Sequence, residues 1–290
     1  MAQSTFMNKI ITCRENHRVK KNSLFILLLS MLLIVLAACG DAETNEESAD
    51  EGKKVLKAVT NAAYAPMEYM DKEKLVGLDI DLAKAVAEEA GYELEVLNVG
   101  WDPLFVEIES GRAQIGVSAI SITEDRKEKY EFSVPYFVST NKILVPEDSD
   151  ITSAADLTDK TVAVLSGSTG MYAIEKVIGT NNKNIKKFET NVLAIQELKQ
   201  NGADAVVADG AVIEEYVKNN PNDNFKVIDD STNFEEEYYG YMYQKGNTEL
   251  RDELNEAIEA IIDNGTYEEI YESWLGTKPN LSLLKEQMSL

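Results

Sequence analysis

The sequence predicts an α/β fold built as two lobes. Three observations carry this. Short β-type runs alternate with segments of helical periodicity along most of the chain. The alternation then starts again, so that a second block follows the first. The stretch from residue 55 to residue 274 is long enough for two modest cores. Alternating strands and helices favour parallel sheets with helices on their faces, and ligands at the carboxyl ends of the strands.

In the first block, residues 55–60 (VLKAVT) read as a strand. Residues 78–90 place Leu78, Leu82, Ala85, Val86 and Glu89 on one mostly apolar helical stripe. Tyr92, Leu94 and Val96 alternate as in a half-buried strand. Asp102-Pro103 reads as a helix start, with an N-cap followed by proline at the first helical position. Residues 114–119 form the next strand. The second block opens with a strand at 161–165, after which Gly167-Ser168-Thr169-Gly170 turns into a helix. A helix at 191–200, a strand at 204–208, a helix at 211–218 and a strand at 225–228 follow. The chain closes with a strand at 238–243 and a long helix at 248–263.

The amino-terminal region is of another kind. Lys9, Arg14, Arg18, Lys20 and Lys21 precede the apolar run LFILLLSMLLIVL at 24–36. That run is short of the roughly 20 residues a spanning helix needs. Leu36-Ala37-Ala38-Cys39 comes directly after it. A basic region, a short apolar region and a small-residue site read as an export signal; an uncleaved anchor is the alternative. The ending resembles that of a bacterial lipoprotein signal. This implies cleavage before Cys39 and a diacylglyceryl group on it, which supplies the second chain that stable anchoring needs. Residues 1–38 are then the signal, with Met7 as an alternative start. Residues 39–54 form an acidic linker, disordered because it lacks large apolar side chains.

Cleavage there removes Cys13, His17, five basic residues and Glu15, leaving 23 basic against 50 acidic residues and a net charge of −27. Without histidine or a free thiol, much acid–base, nucleophilic and zinc chemistry is unavailable. No catalytic group, cofactor or metal is expected. A surface this acidic repels phosphate backbones, so no nucleic acid is expected as a partner.

A binder of free amino acids needs a guanidinium fork and hydroxyl or backbone donors for the carboxylate, an acid for the ammonium, and apolar or aromatic walls for the side chain. Ser118-Ala119-Ile120-Ser121-Ile122-Thr123-Glu124-Asp125-Arg126 leaves a strand and enters a short helix. Arg126, one turn in, can swing back toward Ser121. Taken alone, Thr123 is an N-cap and Arg126 a surface arginine. Gly167-Ser168-Thr169-Gly170 offers amides and hydroxyls at a helix start. It also reads as an ordinary capped turn. Asp209, at a strand end, can take an ammonium or cap the helix after it. Trp101 and Tyr64 follow strands, as ligand walls or as core.

The order of these pieces resembles the polar amino-acid branch of the bacterial extracellular solute-binding proteins, the receptors of ABC importers. The matching segments are Asn61-Ala62-Ala63-Tyr64-Ala65-Pro66-Met67-Glu68, Gly77-Leu78-Asp79-Ile80-Asp81-Leu82 and Gly100-Trp101-Asp102-Pro103-Leu104-Phe105. Ser121-Ile122-Thr123-Glu124-Asp125-Arg126, Phe132-Ser133-Val134-Pro135-Tyr136, Gly167-Ser168-Thr169, Ala203-Asp204-Ala205-Val206-Val207 with Asp209, and Trp274 complete the set. The likeness is greatest to Gram-positive receptors for basic amino acids.

The resemblance implies a type II periplasmic-binding-protein fold with two hinge crossovers, near 137–143 and 233–238. Lobe one would hold 55–138 and 238–274, lobe two 141–234, and 275–290 would be a C-terminal tail. Arg126 would fork onto the ligand carboxylate, aided by Ser121 and Thr169, and Ser168 would also be a ligand-binding residue. Asp209 and the Ala119 carbonyl would take the ammonium. Tyr64 and Trp101 would wall the side chain, and Ser118 and Asn61 would face its far end. The implied function is capture of a polar or basic L-amino acid by a monomer lipid-anchored on the outer face of the cell membrane, for delivery to a membrane permease. An amino-acid-sensing subunit and a dehydratase on the same fold are the alternatives. In receptors for basic amino acids the Asn61 position is often aspartate. Asparagine there offers a dipole where aspartate offers a charge, which relaxes the preference for a cation.

Overall fold

A computed structural model describes residues 53–289 of the chain. The expected signal, the lipidation site Cys39 and the linker up to residue 52 lie outside the described residues. Lys54, expected in that linker, is the first residue of a strand.

The first part of the chain gives β1 (Lys54–Thr60), β2 (Ala63–Tyr64), β3 (Glu68–Asp71), β4 (Lys74–Val76), α1 (Leu78–Glu89), β5 (Tyr92–Asn98), α2 (Trp101–Glu109), β6 (Ile115–Gly116), α3 (Glu124–Lys127) and β7 (Tyr130–Phe132). Next come β8 (Phe137–Pro146), β9 (Val162–Leu165), α4 (Thr169–Ile178), β10 (Ile185–Phe188), α5 (Asn191–Lys199), β11 (Ala205–Asp209), α6 (Gly210–Asn219) and β12 (Phe225–Ile228). The chain ends with β13 (Glu236–Tyr239), β14 (Met242–Gln244), α7 (Thr248–Asp263), α8 (Thr266–Leu275) and α9 (Leu281–Met288).

One large sheet has the order β5-β1-β6-β14-β7 and the other β10-β9-β11-β8-β12, with β13 also on β8. A small β2-β3-β4 sheet stands apart. The expectation of parallel sheets holds for β1 with β5 and β6, and for β9 with β10 and β11. It fails for β14 and β8, which run antiparallel to their sheet neighbours. Both adjoin the segments by which the chain passes between the sheets, so the crossing and not a helical return sets their direction.

The second sheet shows why the alternation was readable. Every residue of β9 and β11 is buried. Val162, Val164, Ala205 and Val207 face one core with Met171 and Ile174 of α4. Ala163, Val206 and Ala208 face another with Ala194, Ile195 and Leu198 of α5. Strand period 2 divides one apolar run between two helical layers. In the first lobe, α7 buries Leu250, Leu254, Ala257, Ile258, Ile261 and Ile262, a helical stripe.

Three predicted boundaries move. Helix α2 begins one residue before Asp102, with Gly100 as its N-cap at φ 88°, so Asp102 is not the cap. The left-handed φ turns the chain there, where glycine carries no steric cost. The strand expected at 114–119 shrinks to β6, and Ala119 takes φ 46°. The strand expected at 238–243 is two, β13 and β14. The expected C-terminal tail contains α9, whose Leu284 is buried in the first core.

The crossing is a strand-paired ribbon. The first half of β8 pairs with β13, Thr140 opposite Glu236 and Phe137 opposite Tyr239. Its second half pairs with β11, Asn141 opposite Asp209. Stacked rings flank it, Tyr136 on Tyr241 at 4.5 Å and Phe137 on Tyr239 at 5.2 Å between centroids. Such pairs add about 0.5–1.5 kcal/mol each beyond their buried area.

Candidate functional site

A cavity of about 730 Å³ opens between the two lobes, walled by Trp101, Phe105 and Arg126 on one side and by Asn141, Thr169 and Glu237 on the other.

Arg126 is set by a one-turn helix. Its N–H donates to the Thr123 hydroxyl at 3.3 Å, so Thr123 is the N-cap. The side chain turns back along the chain. Nη1 donates to the Ser121 carbonyl at 2.9 Å, and Nη2 reaches the Gly167 carbonyl across the cleft at 3.3 Å. The guanidinium carbon lies 5.4 Å from the Trp101 ring centroid and 5.6 Å from that of Phe105. A planar cation held by aromatic faces keeps its fork oriented. Burial pulls its pKa down, while Glu237, Tyr172 and Tyr130 push it back up. An arginine stays charged through such a shift, and two of its five N–H groups are spent on carbonyls.

Glu237, on β13, faces this guanidinium. Its carboxylate accepts from Ser121 Oγ at 2.7 Å, Thr169 Oγ1 at 2.6 Å and Asn141 Nδ2 at 2.5 Å. Ser168 is differently employed. Its hydroxyl caps α4 through the Met171 N–H at 3.1 Å and donates to the Leu165 carbonyl at 2.8 Å. The turn is thus capped by Ser168, and Thr169 is the residue whose hydroxyl faces the cleft.

Asp209 stands at the N-cap position of α6 but makes no capping side-chain bond. Its carboxylate accepts from the Tyr64 hydroxyl and, at 3.4 Å, from Ser139 Oγ. Burial first, then the Glu237 charge, raises its pKa well above the carboxylate range. Asp209 and Tyr64 are buried and are not among the residues lining this cavity.

Asn61 follows β1 and Ser118 follows β6. Both are buried and neither is on the cavity wall. Ser118 Oγ accepts from the Asn61 N–H at 3.1 Å and donates to Glu68 at 2.9 Å. Ala119 donates its N–H to Asp79 Oδ2 at 2.7 Å, and the Tyr136 hydroxyl shares that oxygen at 2.8 Å. Burial lifts the Glu68 pKa well above its ordinary value, with Asp79 adding to the rise. Burial brings Asp79 to about 7, against the pull of its two hydrogen bonds.

Sequence reasoning missed Glu237, Asn141 and Phe105. Phe105 lies four residues after Trp101 on one helix, a spacing that puts both rings on one face. Glu237 sits in Glu235-Glu236-Glu237, a run that reads as solvated surface. Its one signal is the strand period, which separates exposed Glu236 from partly buried Glu237.

The arrangement gathers a guanidinium, two hydroxyls and an amide at one point, with the buried acid Asp209 near enough to sense the Glu237 charge. It fits a small carboxylate-bearing zwitterion. The chain is 37% identical over 247 residues to a protein of Neisseria gonorrhoeae named "Probable histidine-binding protein", covering 84% of this chain and 91% of that one. It is 33% identical over 259 residues to the arginine-binding extracellular protein ArtP of Bacillus subtilis, covering 88% and 98%. Among solved structures, the arginine-, lysine-, histidine-binding protein ArtJ of Geobacillus stearothermophilus superposes with a TM-score of 0.78 at 48% identity, covering 80% of this chain and 100% of that one. The sequence profile of the bacterial extracellular solute-binding proteins, family 3, matches residues 56–277, and the chain belongs to that family.

Proposed function

We propose that this protein is the substrate-binding lipoprotein of an ABC importer and that it captures a polar or basic L-amino acid between its lobes. The observation that carries this is the Arg126 guanidinium, gripped by Trp101 and Phe105 on a cavity wall beside the Ser121 and Thr169 hydroxyls. The α-carboxylate docks on that fork. Asp209 receives the α-ammonium once the Tyr64 hydroxyl yields to it. Trp101 walls the side chain. Closure of one lobe on the other favours the bound state only through contacts made in the closed form.

The named relatives bind arginine, lysine or histidine, which supports a basic ligand. This weighs against the relaxed preference inferred from Asn61. The lipobox-like Cys39 supports anchoring at the membrane, and the family supports delivery to a permease and not catalysis.

A thermal-shift screen of the twenty L-amino acids and cystine tests the reading. Stabilisation by one or more is expected, largest for arginine, lysine or histidine. No shift with any of them overturns it.

A further inference from the structure

We propose that Glu237 is a built-in competitor for the ligand carboxylate, occupying the Ser121, Thr169 and Asn141 donors that an amino acid must take over. This rests on the amino-acid reading above and adds a regulation to it.

Proton count makes the two occupants exclusive. A serine or threonine hydroxyl has one proton to donate. Both protons go to the same Glu237 oxygen, Oε2, at 2.7 and 2.6 Å. The Asn141 amide holds the other oxygen. A ligand carboxylate is acceptor-only, as is Glu237, so it cannot join them; it must displace them. Two carboxylates crowded on one set of donors also repel.

Position gives the competition a mechanical meaning. Ser121 precedes α3 in the first lobe and Thr169 begins α4 in the second. Glu237 sits on β13, in the ribbon that joins them. Its carboxylate therefore ties the lobes with the bonds that a ligand uses for the same purpose. Closure by Glu237 and closure by an amino acid are alternatives, and the first sets the threshold for the second. A hydrogen bond to a charged acceptor is about twice as strong as one to a neutral acceptor. Removing the charge at Glu237 should therefore tighten amino-acid binding about tenfold.

The test is titration calorimetry of the wild type, Glu237→Gln and Glu237→Asp with L-arginine, L-histidine and L-glutamine. Glu237→Asp keeps the charge but shortens the reach, which guards against a folding defect peculiar to the amide. The expected result is a lower Kd in both variants for every probe that the wild type binds, about tenfold in Glu237→Gln. Small-angle scattering without ligand should show both variants more open than the wild type. Unchanged or weaker binding of all probes overturns the proposal alone. So does weakening confined to arginine and histidine, which would make Glu237 a subsite for a cationic side chain. A wild type that binds none of the three overturns the amino-acid reading, and the proposal with it.

Discussion

The Tyr64 hydroxyl donates to the Asp209 carboxylate, joining the small β2-β3-β4 sheet to the end of β11 in the second large sheet. The bond gives a buried acid a neutral partner. Burial and the Glu237 charge leave that acid with a pKa well above the carboxylate range.

A proton count follows. An ammonium beside Asp209 favours its ionised form and pulls the pKa down. Below the raised pKa, amino-acid binding must then release a proton, so affinity falls as pH falls. Calorimetry in buffers of different ionisation enthalpy measures this directly. Release is expected in the wild type and absent in Asp209→Asn, which should also bind more weakly. Proton uptake by the wild type would contradict the assignment of Asp209.

Arg126→Ala should abolish most binding. It leaves an incoming carboxylate buried without its fork, at a cost of about 3–5 kcal/mol by analogy with a broken buried ion pair. Arg126→Lys should recover little. An ammonium lacks the planar fork that meets two carboxylate oxygens at once. Titration calorimetry checks both, and parental affinity in Arg126→Ala would remove Arg126 from the site.

Much of this site was legible because its residues stand at element ends that periodicity locates. Arg126 follows a capped turn, Thr169 opens a helix, and Asp209 closes a fully apolar strand. What periodicity does not carry is depth. Asn61 and Ser118 are polar residues near strand ends, like Ser121, but only the packed fold shows that the Ser118 hydroxyl is engaged by Glu68 and by the Asn61 N–H. Glu237 was hidden for the opposite reason. Among three consecutive glutamates, the one that turns inward is chosen by pairing with β8, a contact about 100 residues away in sequence.

Gly77→Ala should cripple the first lobe. Gly77 is the N-cap of α1 at φ 140°. A Cβ there would stand 2.0 Å from the Met67 carbonyl oxygen, inside any contact distance. The carbonyl cannot yield easily, because it accepts the Asp79 N–H at 2.9 Å. At φ 140° and ψ 166° the backbone is open essentially to glycine alone, which costs an L side chain about 1–3 kcal/mol. A loss of at least about 3 kcal/mol is expected in denaturant unfolding, at the upper end of ordinary single substitutions. Wild-type stability in this variant would show that α1 can start elsewhere.

Asp79 gives stability a pH dependence opposite to that of a salt-bridged acid. Its carboxyl titrates near 3.8 as a free side chain and at about 7 in the fold, because burial outweighs the hydrogen bonds from Ala119 and Tyr136. Between those values the folded chain holds a proton that the unfolded chain has lost. Stability therefore falls as pH rises through this window, and its full contribution is present below the lower value. A shift of that size corresponds to on the order of 4 kcal/mol across the window. Glu68, also raised and coupled to Asp79, changes stability in the same sense. Asp79→Asn removes the titration while keeping an oxygen to accept from Ala119 or Tyr136. Urea unfolding at pH 4.5, 5.5, 6.5 and 7.5 should show the wild type losing stability along the series and Asp79→Asn losing markedly less. Equal pH slopes in the two proteins would mean that Asp79 is already ionised in the fold throughout, held so by the bonds that fix Ala119 at its left-handed φ.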